Sequence, residues 1–250
     1  MADETSLDEI LGGRLRLRQF RAGHRVGADA VLLAAAAGAP VARFVDVGAG
    51  VGAVGLSLLT RWPEARGDLV EIDPAQAALA RENAELNGVG ARARIVQADI
   101  FDGAARRAAG LENGEADLVL TNPPFFEAGS VRASPDAGRA RAHVFAADVE
   151  DPLGAWIVAC LALLAPGGRF QMIHRADALA PILAAIGKRL GAVAVRPIHP
   201  RADADAIRVL VGGFKGSKAP PRLLPGVVLH EASGAFTDLS AAIHRGEALL

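Results

Sequence analysis

Asn122-Pro123-Pro124-Phe125 carries more chemical information than any other stretch of these 250 residues. Two consecutive prolines stiffen the chain and hold the peptide at Asn122 extended. A rigid turn of that kind fixes two acceptors, the Asn122 side-chain oxygen and the Pro123 carbonyl. Two acceptors set about one planar amino group suit an exocyclic or amide nitrogen. Phe125 offers a flat face on which a base or amide can stack, and Phe126 adds a second apolar wall or a rim. The lone pair of an aromatic amine is delocalised into its ring. Hydrogen bonds from both N–H groups help turn the nitrogen toward sp³ and aim its lone pair at an incoming methyl group. In-line attack on a sulfonium then needs mainly positioning and desolvation. No strong base is required beforehand, because the methylated ammonium is acidic enough to lose its proton afterwards.

A second constellation lies upstream. Asp46-Val47-Gly48-Ala49-Gly50-Val51-Gly52 follows a short apolar run and precedes a helical pattern. Glycines let a backbone turn sharply and approach a ligand beside a helix N-terminus. Glu71 lies 25 residues beyond Asp46, at the end of the next strand-like run. An acid there can accept both hydroxyls of a ribose. Two ligands fit, a nicotinamide or flavin dinucleotide and S-adenosylmethionine. Gly50, Gly52 and Gly55 match G-x-G-x-x-G only out of register, and Asp-x-Gly-x-Gly-x-Gly, with an acid closing the first strand, suits the methyl donor better. The bland alternative is a tight turn of a ligand-free α/β protein. Asp99 can accept from an adenine amino group, with Ile100 against the ring; its structural alternative is a helix cap before Gly103.

These residues need a scaffold that brings strand ends together. Strand-like runs at Arg43–Val47, Asp68–Ile72, Arg94–Gln97, Asp117–Thr121 and Arg169–His174 are interleaved with helical ones at Ala53–Arg61, from Pro74 to about Asn87, and at Asp151–Leu164. Such alternation predicts βαβ units and a mostly parallel sheet covered on both faces. A further helix is expected over Asp29–Ala37. Ala192–Ile198 and Ile207–Gly212 permit an antiparallel pair at a sheet edge. Val227–His230 reads as a last strand before a short helix. At the other end, Thr5–Leu11 fits a short helix, and Arg14-Leu15-Arg16-Leu17-Arg18 alternates as a half-exposed strand. One domain is expected, with 1–40 an N-terminal extension, 41–213 the catalytic core and 214–250 a C-terminal extension. Asn122 to Asp148 is the longest irregular stretch, and loops of that length are usually functional.

Composition excludes several classes. Hydrophobic residues make up 51% and the net charge is −1, so the chain is too apolar and evenly charged to be disordered. A single cysteine, Cys160, excludes a disulfide framework. The six histidines, at 24, 143, 174, 199, 230 and 244, show no metal-ligand spacing, so no metal is expected. The acidic, polar N-terminus is unlike a targeting signal, and the longest apolar stretch is interrupted by Asp29, Pro40 and Arg43. A cytoplasmic location without a membrane span is expected.

Taken together, these motifs resemble the class I S-adenosylmethionine-dependent methyltransferases, and more closely the bacterial tRNA1(Val) adenine-N6 methyltransferase family. The resemblance covers most of the chain. Leu11 to Gln19 is similar to that family's N-terminal hairpin, and Gly23 to Leu33 to the segment that lies over its donor. It implies a Rossmann-like fold with a seven-stranded, mostly parallel sheet, an antiparallel edge strand and a short N-terminal hairpin or helix extension. It implies S-adenosylmethionine as cofactor, bound by Asp29, Asp46, Gly48, Gly50, Gly52, Glu71, Ile72, Asp99, Ile100 and Asn122. Asn122, Pro123, Pro124 and Phe125 would form the acceptor site. The same acceptor motif occurs in rRNA guanine-N2 and protein glutamine-N5 enzymes. These remain alternatives, as does a non-catalytic nucleotide-binding α/β module or a dehydrogenase.

The charge bears on the partner. Five arginines and no acid occur between Arg14 and Arg25, and ten Lys/Arg against three acids between Pro166 and Arg222. Arg132, Arg139 and Arg141 lie close to the acceptor motif. The stretches Arg14 to Arg25, Arg132 to Arg141 and Arg169 to Arg222 are therefore candidates to track the phosphates of an RNA, in the first place a tRNA.

Overall fold

The computed structural model describes residues 4–22, 25–124 and 150–250. Phe125, Phe126, Gly23, His24, His143 and the stretch Arg132 to Arg141 lie outside the described residues.

The chain begins with an antiparallel hairpin of β1 (Thr5–Ile10) and β2 (Leu15–Phe20). The helix expected over Thr5–Leu11 is therefore a strand. Its apolar positions Leu7, Ile10 and Leu11 fit a helical spacing, but pairing with β2 from Thr5↔Phe20 to Ile10↔Leu15 overrides it. Leu11, Gly12 and Gly13 turn the hairpin at φ 54°, 65° and 84°, a region open to glycine at little cost. The alternation read in β2 holds: Leu15, Leu17 and Gln19 are buried and Arg16 is exposed.

After α1 (Ala28–Ala35) the sheet alternates with helices. β3 (Arg43–Val47), α2 (Ala53–Arg61), β4 (Arg66–Glu71), α3 (Pro74–Leu86), β5 (Ala93–Gln97), α4 (Gly103–Ala108) and β6 (Ala116–Thr121) come first. Then follow α5 (Pro152–Leu163), β7 (Leu164–Arg175), α6 (Leu179–Ile186), β8 (Leu190–His199), β9 (Arg208–Lys215), β10 (Arg222–Leu223), β11 (Val227–Val228) and α7 (Asp238–His244). The strand order is β10-β8-β9-β7-β6-β3-β4-β5, with β11 also on β8. β5, β4, β3, β6 and β7 are mutually parallel. β9 runs against both β7 and β8.

The seven expected strands are thus all present in one sheet, and the reversed strand, β9, lies between β7 and β8 rather than at the edge. Two short strands extend the sheet to nine. They sit among Pro220, Pro221 and Pro225, which read as chain breaks. Proline is tolerated at a sheet edge, where one side of the strand donates to nothing.

Alternate side chains of the buried strands feed two cores. Phe44, Leu69, Leu118 and Leu120 meet α1, α2 and the hairpin's Leu15 and Leu17 on one face. Val45, Val47, Val70 and Val119 meet Trp156, Ile157, Cys160 and Ile182 on the other. Cys160 is a core residue, and burial pushes its thiol far up, out of reactive range. Asp73 caps α3 by accepting from Ala75 N–H at 2.7 Å, and Pro74 starts it. Among the described residues no helix is long and apolar enough to cross a membrane.

Candidate donor and acceptor site

Parallel pairing sets the predicted residues in one row. Val47 lies level with Val70 on one side and Thr121 on the other, and Glu71 level with Gln97. The turn at Gly48, the acid Glu71 with Ile72, Asp99 with Ile100, and Asn122 therefore all stand at the carboxyl edge of four adjacent strands. That edge is where open α/β sheets bind ligands.

The glycine turn is held from several directions. Gly48, Gly50 and Gly52 have φ of 74°, 56° and 92°. Gly48 N–H and Ala49 N–H both donate to Val70 carbonyl at 2.9 Å. A Cβ at Gly48 would stand 3.1 Å from Trp156 Cζ2, whereas one at Gly50 would meet nothing within 4 Å. The turn thus rests on Trp156 and opens outward at Gly50. Gly52 precedes α2 without a side-chain cap. Asp46 supplies the cap from the preceding strand, its carboxylate accepting from Gly55 N–H at 2.8 Å. Burial pushes the Asp46 pKa up to about 7; the Gly55 bond opposes this and the Glu71 charge adds to it.

Glu71 is also held by backbone. It accepts from Gly50 N–H and from Asp73 N–H, each at 2.8 Å. Burial raises its pKa and these amides pull against the rise. Ile72 continues the strand end, half-buried. Asp99 accepts from Phe101 N–H at 2.8 Å, and Ile100 is buried. Asp102 caps α4 through Ala104 N–H and Ala105 N–H at 2.8 and 2.9 Å. The helix cap weighed for Asp99 thus belongs to its neighbour.

Asn122 and Pro124 are half-buried and Pro123 is buried. Pro123 and Pro124 lack N–H groups, so the β6 ladder stops at Thr121. Thr121 is fully buried; its hydroxyl donates to Val47 carbonyl and accepts from Trp156 Nε1, each at 2.9 Å. One hydroxyl therefore ties the strand end before Asn122 to the strand end before Gly48. Trp156 meets Phe101 edge-on, with centroids 5.8 Å apart. Thr121 and Trp156 were not among the residues picked out from sequence. The threonine just before Asn-Pro-Pro was an available cue; the tryptophan, 35 residues away, was not.

Asp29 lies in the first turn of α1 and accepts from Arg208 Nε at 2.9 Å. Arg208 begins β9, and Arg175, paired with Asp177, ends β7. His174 is buried at that same strand end, and burial pushes its imidazole down to about 4, so it is neutral.

The basic stretches divide between the two sheet edges. Arg175, Arg208 and Arg201, the last in the loop after β8, are at the carboxyl edge. Lys188 and Arg189 precede β8, and Lys215 and Lys218 follow or close β9, so they stand at the opposite edge. Arg169 is in the middle of β7, level with Leu118 of β6, and bonded to Ala39 carbonyl. In the hairpin, β2 climbs α3 from Asn87 at Arg16 to Asn83 at Arg18, which directs Arg21 and Arg25 toward the carboxyl edge. Arg25 is paired with Asp8 at 2.9 Å and Arg18 with Glu82 at 3.6 Å. Among the described residues, Arg21 and Arg201 are exposed and have no ion-pair partner.

These residues fit a methyl donor: an open glycine backbone, two acids at successive strand ends and an apolar wall at Ile100. Fold and site define a class I S-adenosylmethionine-dependent methyltransferase. The methyltransferase small domain family matches residues 25–137. A tRNA1(Val) (adenine(37)-N6)-methyltransferase of Porphyromonas gingivalis is 38% identical over 62% of this chain and 60% of its own length. One from Aeromonas hydrophila is 33% identical over 88% of this chain and 91% of its own. A solved structure, of a predicted O-methyltransferase from Agrobacterium tumefaciens, superposes with a TM-score of 0.74. It shares 32% identity over 89% of this chain and 98% of that one. The chain belongs to the tRNA1(Val) (adenine-N6)-methyltransferase family, with S-adenosylmethionine as its cofactor.

Proposed function

We propose that this chain methylates the exocyclic N6 of an adenine in RNA, specifically a tRNA, in the cytoplasm. The observation that carries the reading is the Asn122-Pro123-Pro124 turn, placed at the strand end beside the glycine turn and tied to it through Thr121. The alignment with the Porphyromonas gingivalis relative spans 60% of that protein, and that with the Aeromonas hydrophila relative 91%. Both are named for adenine-N6 methylation of a tRNA, which supports the substrate class.

The donor, when bound, supplies a methyl group made electrophilic by its sulfonium. Gly48, Gly50 and Gly52 give it backbone approach, Glu71 accepts hydroxyls beside Ile72, and Asp99 and Ile100 hold an adenine. Asp46 positions the turn through Gly55, and Asp29 positions α1 through Arg208. At the acceptor, Asn122 and the Pro123 carbonyl take the two amino hydrogens, Pro124 keeps the turn rigid, and Phe125 stacks on the base. Those two hydrogen bonds help turn the nitrogen toward sp³ and take its lone pair out of conjugation with the ring; the proton leaves after transfer. A flexible loop presents an adenine more cheaply than a duplex does, because less stacking is lost.

Phosphates would be met by arginines at the carboxyl edge, Arg21, Arg25, Arg175, Arg201 and Arg208, and by the stretch Arg132 to Arg141. In this reading the chain is one domain, with residues 1–40 and 214–250 flanking the catalytic core at 41–213. The hairpin's Leu15 and Leu17 and the C-terminal Ile243 share one core with α1 and α2, which supports a single domain.

The experiment offers labelled donor to the purified protein with extract from a strain lacking the gene. Label in a nuclease-sensitive small-RNA fraction, falling as salt rises, is expected. Label in protein, insensitive to nuclease, would favour the glutamine reading and contradict this one.

A further inference from the structure

Among the described residues, no third strand pairs with the outer edge of β2. At Arg16 and Arg18 its backbone is met instead by side-chain amides of α3. Asn87 accepts from Arg16 N–H at 2.9 Å and donates to Arg16 carbonyl at 2.7 Å. One turn earlier, Asn83 repeats the pair on Arg18, at 2.7 and 2.9 Å. The two periods match. Residues four apart on a helix rise about 6 Å, and alternate residues of a strand are about 6.7 Å apart. The amides stand in for a neighbouring strand and cover an edge that would otherwise be open.

Asn83 makes one bond that Asn87 does not. Its Nδ2 also donates to Val51 carbonyl at 3.0 Å. Val51 lies between Gly50 and Gly52, both left-handed. Among the described residues, Asn83 is the side chain that donates to a carbonyl of this turn. Its relative exposure is 0%; the bond to Val51 is buried and the two to Arg18 are part-buried, so an unmade bond at this amide is costly.

The glycine turn needs such a restraint because glycine has more backbone freedom to lose than any other residue. A second side-chain hydrogen bond on the turn is that of Glu71 with Gly50 N–H. A diol taken by that carboxylate would compete for the same oxygen. The Asn83 bond to Val51 is independent of that exchange.

We propose that Asn83 is a positioning residue for the donor site, which holds the glycine turn in shape and links hairpin docking to donor binding. The linkage is reciprocal: what fixes the turn also fixes Arg18, and the reverse. The proposal does not depend on the identity of the methyl acceptor.

The test combines calorimetry with S-adenosylhomocysteine and amide hydrogen exchange. In the parent chain, S-adenosylhomocysteine is expected to slow exchange at Arg18 as well as at Gly50 to Gly52. Asn83→Ala should weaken binding about tenfold or more and speed exchange at both places. Asn87→Ala, which removes the bonds to Arg16 and to the Asn83 carbonyl but none to the glycine turn, should leave affinity within about twofold. Where Asn83→Ala does not fold, Asn83→Ser, too short to span Arg18 and Val51 together, gives the same comparison. A folded Asn83→Ala or Asn83→Ser protein that melts earlier yet binds S-adenosylhomocysteine as tightly as the parent overturns the proposal. Equal weakening in Asn87→Ala overturns it too.

Discussion

Asn122 and Gly48 put the chemistry at the scale of single residues. Asn122→Ala removes an acceptor from the substrate amino group and leaves the proposed donor contacts at Gly48, Gly50, Gly52, Glu71, Ile72, Asp99 and Ile100 in place. Its kcat is expected to fall by about 10² to 10³, with S-adenosylhomocysteine affinity changed by no more than about twofold. Comparable loss of both would assign Asn122 to donor binding instead. Gly48→Ala combines a φ of 74° with a Cβ 3.1 Å from Trp156. It is expected to cost about 1 to 3 kcal/mol in denaturant melts and to weaken the donor more than Gly50→Ala, whose Cβ meets open space. The residues proposed to hold donor and acceptor stood out in sequence because each departs from what a fold alone requires. Thr121, Trp156 and Asn83 were not. Their roles rest on contacts 32 to 74 residues apart in the chain, which no local pattern encodes.

The elements were legible where local signals and burial agreed. The limits of α2 and β3 fall where a helical and an apolar run meet the glycine turn. Thr5–Ile10 was not legible, because a helical spacing of apolar residues competes with partners that only β2 supplies. The Gly12-Gly13 turn was the contrary cue. At the start of α2, the helix cap is Asp46 on Gly55 rather than any side chain at Gly52. The Asp46 pKa is raised, so the folded state holds a proton that the unfolded chain has released. The associated stability is present in full below the ordinary aspartate range near 3.8 and is lost as pH rises toward about 7. Melting temperature is expected to decline across that window, and Asp46→Asn to flatten the decline. A parent profile of the same slope as Asp46→Asn would remove Asp46 from the account.

At the scale of the whole molecule, a net charge of −1 conceals a division between two sheet edges. Composition showed the arginine stretches, but only strand direction shows which residues share the site's edge. Arg21→Ala with Arg201→Ala is expected to weaken tRNA binding and lower the dependence of log K on log salt by roughly 1 to 2, since each phosphate contact contributes about 0.7 to 0.9. Lys188→Ala with Arg189→Ala, at the opposite edge, should change neither. Equal effects of the two pairs would mean that RNA is bound non-specifically over the surface. The central claim is narrower than binding, and nucleoside mass spectrometry tests it most directly. tRNA from a strain lacking the gene is treated with the purified protein and S-adenosylmethionine, then digested to nucleosides. The account predicts new N6-methyladenosine, absent with Asn122→Ala. Methylation of another nucleoside, or none under conditions where the donor is bound, would contradict it.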